Sequence, residues 1–143
     1  MIITILSIIS FSILTILGLI HFNWVFGGKW GFEQSIPTKE NGEKLLNPKK
    51  IETAIVGIGL ILFGLIYLIK TGLINVSIPM WITNYGYWII PSIFILRAIG
   101  EFKYVGFFKQ IKNTEFAKAD SKIFSPLCLI IGIIGILIQF ISK

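Results

Sequence analysis

Few side chains in this 143-residue sequence can do chemistry, and most of them stand near the ends of apolar runs. Arg97 and Glu101 are four positions apart, which on a helix puts guanidinium and carboxylate on one face. A guanidinium held that way can take an anionic head group or phosphate through two parallel hydrogen bonds. The plain alternative is an interfacial ion pair, with Arg97 snorkelling to lipid head groups. Tyr104 and Phe108 would prolong the same face if the helix continued. His21 is the sole histidine and lies beside Asn23 and Trp24. It suits hydrogen-bonded packing, proton transfer or ligand contact. Cys128, the sole cysteine, excludes an intrachain disulfide and falls on a stripe of small residues, where packing explains it as well as nucleophilic chemistry does. Asp120 completes the candidates. No zinc-type His/Cys spacing is present, so no metal site is expected. Gly27-Gly28-Lys29-Trp30-Gly31 lacks the GK[ST] ending of a phosphate loop, which removes a nucleotide site there.

The elements that must position these residues are apolar helices. The chain is 55% hydrophobic and 14% charged, with a mean hydropathy of +0.84, far from a water-soluble composition. A bilayer core needs about 20 helical residues per crossing. Four runs approach that length: Ile2 to Phe26, Ile51 to Ile69, Ile82 to Gly100, and Phe124 to Ile141. Continuous rather than alternating apolarity excludes a β-barrel, and only helices satisfy their backbone within lipid. The expected fold is therefore all-α: a polytopic membrane protein forming one four-transmembrane-helix bundle over residues 1–143. No Lys or Arg precedes the first run, and it is too long for a signal-peptide core, so it is expected to remain as a span.

Charge sets the expected orientation. Residues 27–50 carry Lys29, Lys39, Lys44, Lys49 and Lys50, and residues 101–123 carry Lys103, Lys109, Lys112, Lys118 and Lys122. Only Lys70 and Lys143 fall toward the other side. The positive-inside rule places both basic loops in the cytoplasm and both termini outside. His21, Asn23, Arg97, Glu101 and Cys128 then share a depth near the cytoplasmic leaflet. Small residues recur at helical spacing: Ser125, Cys128, Gly132, Gly135 and Gln139 in the fourth span, Thr4, Ser7, Thr15 and Gly18 in the first, and Ala54, Gly57 and Gly64 in the second. These faces should pack inward. Pro91 is expected to kink the third span, and Thr114 to cap a short helix beginning at Glu115. With the spans removed no soluble module remains, so nucleic acid is not an expected partner.

His21-Phe22-Asn23-Trp24, Gly27-Gly28-Lys29-Trp30-Gly31, the run Arg97 to Lys109, then Phe116, Asp120 and Ser125-Pro126-Leu127-Cys128 together resemble a bacterial family labelled domain of unknown function 3995, made of small four-span membrane proteins. The likeness covers essentially the whole chain. That family often has Asp at the position of Glu101. The resemblance implies a bacterial cell-membrane protein; it implies no activity, cofactor or catalytic residue. Three functions stay open. One is a membrane protein binding a lipid or other amphiphile in a polar pocket at the cytoplasmic helix ends, lined by His21, Asn23, Trp24, Arg97, Glu101, Tyr104, Asp120 and Cys128. The second is an intramembrane enzyme on a lipid or isoprenoid substrate. The third is a small-solute transporter or channel, which would require a homo-oligomer.

Overall fold

The computed structural model describes residues 1–142. Its long helices are α1 (Ile2–Val25), α3 (Lys50–Lys70), α4 (Tyr87–Ile99) and α6 (Ser125–Ile141), with short α2 (Phe32–Ser35) and α5 (Glu115–Ala119) in the two basic loops. Two π-helical turns join this framework: Ile82–Gly86 leads into α4, and Asp120–Phe124 joins α5 to α6. Among the described residues the only strand-like feature is an antiparallel bridge between Thr38 and Lys44.

Three helices are long and apolar enough to cross a membrane: Ile2–Val25, Lys50–Lys70, and the continuous rod Glu115–Ile141. The remaining expected span is the π-turn plus α4. Residues 82 to 99 reach roughly 27 Å at the helical rise, close to a hydrocarbon core. The last long helix begins at Glu115, because the short helix capped by Thr114 runs straight on through the π-turn into α6. The cap itself is as expected, with Thr114 Oγ1 accepting from the Ala117 N–H at 3.0 Å. Asp120 therefore sits within a helical rod and not in a loop.

The helices pair as two hairpins, α1 with α3 and α4 with α6, joined mainly where α1 meets α6. Small residues decide how closely they approach. Gly18 and Gly57 meet at the α1–α3 crossing, where a methyl on Gly18 would lie 2.6 Å from Ile61 and 2.9 Å from the Gly57 carbonyl. Gly132 and Gly135 do the same between α6 and α4, and a methyl on Gly135 would collide with Tyr67 Oη and lie 2.8 Å from Pro91. Lipid supplies no hydrophobic drive between helices, so this backbone-level contact supplies the packing energy. The buried stripes follow the expected faces: Ser7, Ser10, Leu14 and Gly18 on α1, Gly57, Gly64 and Tyr67 on α3, and Ser125, Gly132 and Gly135 on α6. Leu14, Tyr67, Tyr87, Ile90, Phe94, Ile131 and Ile138 fill the centre. The outward faces are apolar, including Ile16 and Leu19 on α1, Leu62 on α3, Ile89 and Leu96 on α4, and Leu137 on α6. A soluble surface rarely carries apolar patches this extensive.

Candidate functional site

The polar cluster at the charged end of α4 is organised by three departures from regular helix. Gly100 ends α4 in the left-handed region at φ +85°, and Gly106 turns the chain again at φ +91°. The loop between them folds so tightly that a methyl on Gly100 would collide with the Val105 carbonyl. The Phe107 N–H returns to the Ala98 carbonyl at 2.8 Å, which closes the loop against the helix end. The third departure is the π-turn at Asp120, whose carboxylate lies fully buried beneath this loop.

Asp120 is the hub. Its Oδ1 accepts from Arg97 Nη2 at 2.9 Å. Its Oδ2 accepts from the Gly106 N–H at 2.8 Å and from Lys109 Nζ at 3.1 Å. Lys109 is 2% exposed and gives its other two ammonium protons to the Gly106 carbonyl at 2.9 Å and Ser121 Oγ at 2.6 Å. A buried ammonium is stable only when its three donors are met, and here they are. One carboxylate between two cations leaves the cluster with a net positive charge. Arg97 keeps a third of its side chain exposed, while its Nη1 and Ser125 Oγ are enclosed with no hydrogen-bond partner among the described residues.

This geometry corrects the pairing expected for Arg97. The helix stops at Ile99, so Glu101 is not one turn along the same face. Glu101 is exposed, and its Oε1 accepts the backbone N–H groups of Lys103, Tyr104 and Val105. Its carboxylate ties down the loop rather than holding Arg97. Tyr104 lies in that loop with Lys103 Nζ 5.3 Å from its ring centre, and neither Tyr104 nor Phe108 continues the helix. Cys128 is half-buried on α6.

His21, Asn23 and Trp24 belong to the other hairpin. His21 Nδ1 and the Leu17 carbonyl are 2.7 Å apart, and its Cβ packs where α1 crosses Gly57 of α3. Its ring lies 4.8 Å from that of Trp24. The Trp24 indole N–H donates to the Trp30 carbonyl at 2.7 Å, so the stack positions the start of the first basic loop. The Asn23 side chain lies over Gly28, where a methyl would collide with it. A shallow groove of about 340 Å³ runs along this part of α1, lined by Ile16, Leu19, Ile20, Asn23 and Trp30. The candidate residues thus form two groups, one on each hairpin.

A second, polar groove of about 720 Å³ is lined by Glu33, Lys39, Glu40 and Lys44 from the first loop and by Asn113 and Glu115 from the second. Both basic loops therefore lie at the same end of the bundle. Beside this groove the Lys39 ammonium and then the Asn41 side chain hold the Glu43 carboxyl below its usual range. Lys39–Glu43 and Lys44–Glu33 are exposed pairs at 2.9 and 2.7 Å, of a kind that contributes little to stability. Among the described residues no group of three or more His, Cys, Asp or Glu side chains could hold a metal ion. In the sequence Lys109 reads only as a topology lysine, and nothing local brings Gly106 or Ser121 to the site. The available signal was the pair of glycines six residues apart, which marks a closed loop able to bring Lys109 back beneath the helix end.

These features define an all-helical protein with membrane-type apolar helices and a buried charge cluster at one end. The chain matches the profile of the family described as proteins of unknown function, DUF3995, over residues 14–135, and it belongs to that family. No curated protein and no solved structure matches it.

Proposed function

We propose that this chain is a cell-membrane protein that binds a lipid or similar amphiphile at the charged end of the bundle. The observation that carries the reading is the groove on α1. Ile16, Leu19 and Ile20 form an apolar strip at spacings of three and four, and Asn23 and Trp30 close it with polar groups. That gradient along one helix face matches an acyl chain leading to a head group. His21 and Trp24 serve it indirectly, because Trp24 holds the Trp30 backbone that walls the groove. Lys29, adjacent to Trp30, and the net positive Asp120 cluster at the same end favour an anionic head group. In this reading Arg97, Asp120 and Glu101 set the field and the loop geometry and do not form the binding surface. The basic loops face the cytoplasm and the termini lie outside, as the positive-inside rule requires.

The test is native mass spectrometry of protein extracted in mild detergent. Wild type should retain a co-purifying lipid. Leu19→Trp, which fills the groove from an exposed position, should retain severalfold less while remaining helical. Equal retention by the filled variant, or no retained lipid in wild type, would sink the proposal.

A further inference from the structure

The loop after α4 presents three aromatic side chains outward. Phe102 is 58% exposed, Phe107 43% and Phe108 64%. The backbone holds them out. Glu101 accepts three consecutive N–H groups, the Lys103 carbonyl accepts the Gln110 and Ile111 N–H groups, and Gly106 is tied to Asp120. Phe102 adopts a left-handed backbone at φ +70°, which a non-glycine residue seldom does without an offsetting gain. Its ring lies 6.4 Å from that of Phe108, so the two form one exposed pair. Lys103, between the two in sequence, and Lys112, four residues beyond Phe108, are exposed on the same loop.

We propose that residues 100–112 form a preshaped wedge that inserts Phe102 and Phe108 into the head-group layer of the membrane, with Lys103 and Lys112 meeting anionic lipid phosphates. Continuity argues for lipid as the partner. α4 presents Ile89, Ile93 and Leu96 outward at spacings of four and three, and the loop begins one residue after that helix ends. The wedge thus extends a lipid-facing stripe. Aromatic rings with adjacent lysines match the chemistry of an anionic membrane interface, where apolar rings insert and ammonium groups remain with phosphate. The proposal does not depend on the α1 groove.

Site-directed spin labelling tests it. Phe108→Cys, Phe102→Cys and, as a solvated control in the first loop, Glu40→Cys are each labelled in a Cys128→Ser background. They are placed in phosphatidylcholine nanodiscs containing phosphatidylglycerol. Labels at 102 and 108 should collide more with oxygen than with a nickel chelate, opposite to the label at 40. Replacing Lys103 and Lys112 by Gln should make the Phe108 label shallower. Nickel accessibility at 108 equal to that at 40 would place the loop in water and overturn the wedge. Shelter from both reagents would mean a protein partner or second copy covers it, which also overturns the lipid assignment. An unchanged depth in the glutamine variant would remove the anionic-lipid component. Phe108→Cys decides the matter if Phe102→Cys, at its left-handed position, fails to fold.

Discussion

Asp120 shows why burial, and not charge alone, decides what a residue does here. It is fully enclosed with Lys109, whereas Arg97 keeps a third of its side chain open. Removing one partner of a buried ion pair leaves an uncompensated charge and typically costs about 3–5 kcal/mol. Asp120→Asn should therefore lower the unfolding free energy by an amount of that order, with Lys109→Met close behind. Arg97→Met should cost less, because a third of its side chain is exposed and already screened. Denaturation in a single detergent checks the order, and an Arg97 loss as large as that of Asp120 would contradict it. The same residues show how far the sequence could be read. Arg97 stood out through its position at the end of an apolar run. Its partner lies 23 residues further along and could not be found from helical spacing. Spacing pointed instead to Glu101, and that inference failed because Gly100 ends the helix first.

At the scale of elements, the close crossings depend on glycines that the small-residue stripes located correctly. A methyl on Gly135 would meet Tyr67 and Pro91, whereas a methyl on Gly59 of α3 would meet nothing within 4 Å. Gly135→Ala should destabilise by about 1–3 kcal/mol through overpacking. Gly59→Ala should be neutral or should stabilise by up to about 1 kcal/mol through helix propensity. Thermal unfolding of the two variants side by side tests this, and equal effects would mean that close approach at Gly135 contributes nothing. The π-turns were not legible, because one extra residue in a helical turn leaves little trace in a hydrophobic pattern. Yet the second π-turn begins at Asp120, whose carboxylate is buried within the charge cluster, and it joins a short loop helix to a span. The loop around Glu101 was equally hidden, since three consecutive backbone N–H groups donate to that one carboxylate.

Across the whole molecule, both basic loops gather at one end, where they jointly line a polar groove. A cysteine at Lys112 in a Cys128→Ser background should be labelled by an impermeant reagent only from the cytoplasmic side. Labelling from outside would invert the proposed orientation. Pattern alone was enough to establish the helical class, the inward faces and the loop helix capped by Thr114. These are local properties, in which apolar run length, helical spacing and capping chemistry act over one or a few turns. Tertiary structure decided which charges meet. It separated His21, Asn23 and Trp24 from Arg97 by assigning them to different hairpins, and it made Asp120 the centre of the cluster. It also turned Glu101 into a loop tie and left Phe102 and Phe108 exposed. Each outcome depends on two glycine turns and a π-turn bringing distant segments together, and a buried charge takes whichever partner that geometry places within hydrogen-bond reach.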